Sequence, residues 1–424
     1  MSVNLCLMSI LLAPFAAAGL ALIQQGLGRS RSAAHSMLCS LGALATAAIL
    51  FVLVGSAWMG FAGGAAHRLH LAGRTIDWLG AEPLFAAGIG SSLSAGPYRA
   101  LVLAYGIFAA GLAALIPINS GSDRWRLAAV AAVSALLAAI LFPLFGHWVW
   151  SDGWLAQLGP LFGLPAFTDL GGAAGIQVLG GLCALSVAWI LGPRQGKYTE
   201  GVAAAIPGHN IVQVLFGCML ALIGWIGLES ATSILFYAAG PGQIALTLVN
   251  AVLAASSGCL AAVLTTRLRY RKPDASLSAN GWIAGLVAGS AGCAQLTPVE
   301  TMLIALVAGT LVTFLAETLE LRLLIDDPGG AISVHLGAGL WGMLAYGLFA
   351  PGGASSAALL AQLIGAATLL GLLFPLIHIS HRLLNRLIPF RVDADGDWQG
   401  MDIRELGAGA YPEFVLHADE FTPR

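Results

Sequence analysis

Apolar residues run in long blocks, not in short alternations. Blocks of spanning length fall at roughly 4–27, 34–60, 99–118, 127–144, 170–192, 208–228, 242–266, 278–295, 299–321, 331–350 and 356–381. About 20 apolar residues in helical form match the hydrocarbon thickness of a bilayer, so each block predicts a transmembrane helix. Eleven spans place the two termini on opposite sides. With the N-terminus outside, the inner loops and tail receive Arg29, Arg31, Arg124, Arg126, Arg194, Lys197, Arg322, Arg382, Arg386, Arg391, Arg404 and Arg424. They also receive the dense run Arg267-Leu-Arg-Tyr-Arg-Lys272, whose simplest role is topogenic. The outer side receives only Arg68, Arg74 and Arg99. Basic residues gather on the cytoplasmic side of membrane proteins. The pattern therefore predicts a multi-pass protein of the cell (inner or plasma) membrane, N-terminus outside and C-terminus cytoplasmic.

Composition agrees. The 424 residues are 58% hydrophobic and 9% charged, where a soluble globule carries about 25% charged residues. The predicted fold class is an all-α polytopic membrane protein with one transmembrane domain over 1–387. A polar tail follows at 388–424, partly ordered against the cytoplasmic face and frayed at its end. The net charge of −2 gives no footing for nucleic acid. Cys6, Cys39, Cys183, Cys218, Cys259 and Cys293 sit singly in apolar segments, as packing residues do. Met1 to Leu27 lacks a basic start and reads as the first span, not as a cleaved signal. There is no Gly-rich phosphate loop, no metal-spaced His/Cys cluster and no nucleophile elbow. The sequence predicts no enzyme, no cofactor and no metal site.

One segment is written twice, 158 positions apart. Asp169-Leu-Gly-Gly-Ala-Ala-Gly-Ile-Gln177 reads against Asp327-Pro-Gly-Gly-Ala-Ile-Ser-Val-His335. The fifth and tenth spans cross the membrane in opposite directions, so the copies form an inverted repeat. Its halves cover about 1–195 and 205–352, and an added helix covers about 356–386. In each copy a polar side chain lies eight residues, about 12 Å of helical rise, past a carboxylate. Both arrive near the midplane from opposite faces. A polar group that deep is costly and marks a functional candidate, although Gln also serves as interhelical glue. Asp169 and Asp327 each precede a helix and fit plain N-caps. Glycines around both copies predict close helix packing.

These residues resemble the ammonium transporter family (Amt/Mep/Rh), over nearly the whole chain. The resemblance rests on Leu20-Ala-Leu-Ile-Gln-Gln-Gly-Leu27, Gly146-His-Trp-Val-Trp-Ser-Asp-Gly-Trp-Leu155, Pro207-Gly-His-Asn210, Ile223-Gly-Trp225 and Ala279-Asn-Gly-Trp-Ile-Ala-Gly-Leu-Val287. Asp326-Asp-Pro328 through His335 and the tail around Gly400-Met-Asp-Ile403 and Tyr411 extend it. It implies a homotrimer with one narrow path per protomer, ammonium as substrate, membrane lipid as surroundings and a PII-type cytosolic regulator as partner. By motif, Trp150 implies an aromatic face for the cation and Thr232 a hydroxyl acceptor, with Asp169 as the carboxylate beneath. Phe108 and Leu228 take the two positions of a phenyl gate. Gln177 and His335 take the two positions of a buried His pair. Taken singly, Trp150 is also an ordinary interfacial tryptophan, and Phe108, Leu228 and Thr232 are ordinary core residues.

The departures gather along the implied path. Ala104 replaces an aromatic of the outer site, Leu228 replaces a ring of the gate, and Gln177 replaces a histidine. In the tail, Leu406 and Ala408 stand where the family usually has His and Glu. Gln hydrogen-bonds but does not take up a proton at neutral pH. Two functions follow as expectations: an ammonium transporter with a relay modified at Gln177, or an ammonium sensor of the same fold that conducts poorly and signals through its tail.

Overall fold

The computed structural model describes residues 2–71, 73–92, 96–351 and 355–411. The expected fraying of the tail, and Arg424 with it, falls at 412–424, outside the described residues. Eleven helices form the body: α1 (Val3–Leu27), α2 (Ser30–Met59), α3 (Tyr98–Gly121), α4 (Leu127–Trp150), α5 (Ala173–Leu191), α6 (Ile211–Tyr237), α7 (Pro241–Tyr270), α8 (Ala275–Gly289), α9 (Pro298–Leu321), α10 (Ile332–Phe349) and α11 (Ser356–Leu387). All but α8 are long and apolar enough, by length and composition, to cross a membrane. The predicted span at 278–295 corresponds to α8, which is shorter and carries Ser276, Ser278 and Asn280. It packs between α7 and α9, which shield those polar groups from lipid.

Contacts at the helix ends define two faces. On one, strands β1 (Ala66–Leu71) and β2 (Arg74–Gly80) form an antiparallel hairpin. The apolar-block pattern gave no sign of it, because it lies between spans. Trp148 Nε1 donates to Trp78 O at 2.8 Å and clips the hairpin to α4. On the other face lies the tail. The start of α5 is on the hairpin face and its end, near Leu191, is on the tail face; α10 runs the opposite way.

Small residues allow the close packing that lipid alone would not drive. A Cβ on Gly224 of α6 would sit 1.8 Å from Ala16 N of α1. At the α5–α10 crossing the same device occurs twice. A Cβ on Gly181 would lie 2.5 Å from Leu336 N, and one on Gly339 would lie 2.7 Å from Val178 Cγ2. Each glycine is four residues past the polar residue of its own repeat copy.

The tail face is held by buried charge. Arg194 bonds Asp326 through Nε at 2.9 Å and Nη2 at 3.0 Å, and reaches Asp123 through Nη1 at 3.0 Å. Asp397 of the tail accepts from Arg391 Nη2, Gln195 N and Arg29 Nη1 at 2.9, 3.1 and 3.3 Å. Two more tail carboxylates sit on helix starts. Asp402 accepts from Ala34 N and His35 N at 3.2 and 2.8 Å, and Glu405 accepts from Leu127 N at 2.8 Å.

Burial alone would raise the Asp326 carboxyl, but Arg124 and Arg194 together outweigh it and hold it at about 2. The hydrogen bond from His35 does most to hold Glu405 at about 2; burial opposes it, and Leu127 N–H and Arg126 add to it. Both carboxyls lie below their unfolded values. Their stabilisation is therefore complete above about pH 4.5 and is lost as pH falls toward about 2. Melting curves in detergent are expected to hold steady from neutral pH down to that point and then drop. The drop is expected to be shallower in an Asp326→Asn, Glu405→Gln variant; equal slopes would contradict the assignment.

Candidate functional site

Each repeat copy begins its helix in the same manner. Gly172 adopts a left-handed conformation (φ 89°), as does Gly330 (φ 75°), which few residues other than glycine tolerate. Each turn lets an aspartate reach back over the first N–H groups of the helix. Asp169 accepts from Gly172 N at 3.0 Å through Oδ1, and from Ala174 N and Gly175 N at 3.0 and 2.8 Å through Oδ2. Asp327 accepts from Ala331 N and Ile332 N at 3.1 and 2.8 Å, and from the Ser120 hydroxyl at 2.5 Å. Both helices then open with a wide π-helical segment, Ala173–Val178 and Ile332–Ala338. Those segments carry Gln177 and His335.

The two polar residues meet. His335 Nδ1 lies 2.8 Å from Gln177 Oε1. With the amide oxygen toward the ring, Nδ1 carries the proton and donates, which leaves Nε2 as an acceptor. The two residues are 1% and 3% exposed. Among the described residues neither Gln177 Nε2 nor His335 Nε2 has a protein partner, and neither is a sealed atom.

Toward the hairpin face an aromatic cluster surrounds Trp150. Phe236 stacks on it with ring centroids 5.4 Å apart and planes 12° from parallel. Tyr105 stands edge-on to Trp150 at 6.0 Å and to Phe236 at 5.5 Å. Trp150 Nε1 donates to Asp169 O at 3.0 Å, tying the cluster to the start of α5. The Thr232 hydroxyl donates to Leu228 O at 2.7 Å and accepts from the Tyr105 hydroxyl at 2.8 Å. One lone pair of Thr232 remains for a ligand. Leu228, one helical turn from Thr232, is buried on the same side of α6.

The structure brings Trp150, Thr232, Leu228 and Asp169 into one region and joins Gln177 to His335. It does not bring Phe108 to them. Ile107 and Phe108 turn instead into an apolar groove of about 530 Å³ lined by Ala17, Ala21, Leu44 and Ala48 of α1 and α2. Packing at Gly106 fixes this rotation of α3. A Cβ there would lie 2.2 Å from the Phe51 ring, so the glycine side must face α2's Phe51. Tyr105, fully buried, then points inward. Beside Ala104, Tyr105 brings a ring to the Trp150 cluster. Sequence reasoning also missed Phe236 and Glu229. Glu229 had a signal, as the lone acidic residue within α6; nothing in the sequence distinguished Phe236.

On the tail face a cavity of about 490 Å³ is lined by Arg194, Lys197, Asp274, Glu320, Asp326 and Asp327, with apolar residues between them. Its cations are engaged: Arg194 with Asp326 at 2.9 Å and Lys197 with Glu320 at 2.5 Å.

A sequence profile described as the Ammonium Transporter Family matches residues 4–411. Ammonium transporter Amt2 of Archaeoglobus fulgidus is 33% identical over 435 residues, which cover 96% of this chain and 87% of that protein. The ammonium transporter of Bacillus subtilis is 25% identical over 93% of this chain and 94% of its own. A solved structure described as Sensor Amt Protein superposes with a TM-score of 0.85 at 26% identity, covering 95% of this chain and 97% of that one. Saccharomyces cerevisiae Mep2 superposes with a TM-score of 0.77 at 22% identity, over 92% of this chain and 90% of its own, a likeness of fold.

Removing the amide partner should leave the buried His335 Nδ1–H without an acceptor. Gln177→Ala is expected to cost about 1–3 kcal/mol, read as a lower melting temperature in detergent. Gln177→His, which keeps an acceptor in place, should melt close to wild type. Equal loss in both variants would mean the hydrogen bond contributes nothing.

Proposed function

The chain belongs to the ammonium transporter family, and on that footing we propose how its side chains carry ammonium. It is a multi-pass membrane protein whose function is ammonium transport, not an enzyme. Ammonium is held first at the Trp150 cluster on the hairpin face. There aromatic faces attract the cation and the free lone pair of Thr232 replaces one water. Phe236 covers the Trp150 ring and must turn aside to admit it. The ion then passes Leu228, which excludes water, and reaches the Gln177–His335 pair. His335 Nε2 accepts a hydrogen bond from it, and the tail-face cavity receives it. Asp169 acts through the helix start that it caps.

The observation that carries this reading is the 2.8 Å bond between Gln177 and His335 where two capped, antiparallel helices cross. The pair does not pass a proton from ring to ring as two histidines can, because the amide does not titrate.

The N-terminus is outside and the tail cytoplasmic, in the cell membrane. In support, Arg29, Arg124, Arg126, Arg194 and Arg391 all gather on the tail face. The protein is a homotrimer; the apolar groove beside Phe108 supports a face covered by another copy. A PII-type regulator docks on the cytoplasmic side, where the basic run Arg267 to Lys272 supports it. A second reading is an ammonium sensor. The likeness to the structure described as Sensor Amt Protein favours it, as does the closure of the cluster by Phe236.

Proteoliposomes on a solid-supported membrane provide the test. Wild type is expected to give an ammonium-driven current. His335→Ala and Trp150→Leu should reduce it by about tenfold or more, the cost of about 1.4 kcal/mol or more of lost stabilisation. No wild-type current, with ammonium still raising the melting temperature, would leave the sensor reading.

A further inference from the structure

Glu229 is a carboxyl in mid-span that the path above does not use. It lies within the 27-residue α6 and is 1% exposed. Its Oε1 lies 2.6 Å from Ser290 Oγ, while Oε2 is sealed and has no partner. No Lys, Arg or His among the described residues is within ion-pair distance of it. A carboxylate in that state would be an uncompensated buried charge, which costs several kcal/mol.

The hydrogen-bond inventory shows which form fits. Trp225 Nε1–H donates to Ser290 Oγ at 3.1 Å and takes one of its lone pairs. The Ser290 hydroxyl lies 2.8 Å from Leu286 O and 2.6 Å from Glu229 Oε1, and its single proton serves only one of them. A protonated Glu229 that donates to Ser290 lets Ser290 donate to Leu286 O and satisfies both contacts, whereas an ionised one leaves Oε2 sealed with no donor. Asp169 is the opposite case, with three backbone N–H groups converging on its oxygens. Gly171 stands between the two carboxyls in space as well as in sequence. A Cβ on it would lie 2.9 Å from Glu229 Cγ, and Gly171 leads directly into the cap of α5. Two carboxyls so placed settle into different forms, one ionised and one protonated.

Position makes the protonated member useful. Glu229 adjoins Leu228 and precedes Thr232 by three residues, about 4.5 Å of helical rise. A charge appearing there acts strongly on the Trp150 cluster across a medium of low dielectric, without touching a ligand. We propose that Glu229 is the proton-exchanging counter-charge of the ammonium path. It keeps its proton while the Trp150 end is empty and releases it to solvent as ammonium arrives. The carboxyl O–H bond breaks at Oε1 beside Ser290 Oγ, the proton ends on bulk water, and ammonium keeps its four N–H bonds. The net charge of the buried unit is the same before and after, and nothing is oxidised or reduced. The exchange supplies a titrating group to a path whose central pair has an amide in place of a histidine. Titratable groups on the elements packed here include the Asp169 carboxylate, the Cys293 thiol, the Tyr105 and Tyr237 hydroxyls and Cys6 of α1; farther along the packed helices are Tyr98 and Arg99 of α3, Cys218 of α6, and Cys259, Arg267, Arg269 and Tyr270 of α7. Helices α1 and α8 bring no charged side chain.

The proposal rests on the transport reading, and three measurements on the intact protein separate the two. Ammonium chloride is added to weakly buffered protein in detergent with a pH indicator. Wild type should release about one proton per protomer, and its apparent ammonium affinity should weaken about tenfold for each unit of acidification, the linkage of one proton. Glu229→Gln should release none and bind ammonium independently of pH. Glu229→Asp should restore the release, which a purely packing role would not predict. Infrared difference spectra should show a protonated-carboxyl carbonyl band that ammonium removes in wild type and that is missing in Glu229→Gln. Proton release that persists in Glu229→Gln overturns the proposal, as does binding without release in wild type. If wild type then still gives a current in liposomes, transport stands without it. Release without current keeps the exchange and removes transport.

Discussion

A backbone N–H that faces hydrocarbon without a partner costs several kcal/mol, and two helices of this protein begin inside its body. Asp169 and Asp327 meet that demand from opposite faces, each three residues before a glycine in a left-handed turn. The rest of the site depends on these two caps. They fix where α5 and α10 start, and so fix the depth at which Gln177 and His335 meet. They also place a negative group over the positive end of each helix dipole, which would otherwise repel a cation approaching from either side. One residue type thus satisfies the backbone and shapes the field along the route.

Much of this was legible in the chain. The duplicated segment carried both caps and the amide–imidazole pair, because each depends on local spacing; its glycines were legible as packing residues, and the left-handed turns at Gly172 and Gly330 were not. What was not legible depends on how helices are rotated. Phe108 and Tyr105 are both aromatic and three residues apart. Only the insertion of Phe51 against Gly106 decides which of them faces inward. Helix ends were obscured by polar residues that are in fact buried. The apolar block at 208–228 stops at Glu229, yet α6 continues to Tyr237 because Ser290 and Trp225 accommodate the acid. The hairpin at 66–80 and the shielded polarity of α8 were hidden for a related reason: neighbours, not the segments themselves, make them stable.

The tail repeats the logic of the interior on the surface. Asp402 and Glu405 cover the first N–H groups of α2 and α4, while Asp397 gathers Arg29, Arg391 and Gln195. The Arg391 guanidinium also reaches the Leu191 carbonyl at the end of α5. A single short segment is therefore in contact with the ends of several helices, including the one that carries Gln177.

The glycine pair at the crossing restricts how the path can work. Alternating access requires two repeat units to rock against each other about a central site. Here Gly181 lies against the backbone of α10, and Gly339 lies against Val178 Cγ2 and the backbone of α5, which leaves little room at the crossing. Rocking at that point would drive the two helices into each other. On the proposed transport reading the crossing is a fixed axle, and the moving parts are side chains such as Phe236, Leu228 and the His335 ring. Rotamer changes of that kind are faster than the swing of whole domains, which gives the protein the kinetics of a turnstile instead of a rocking carrier.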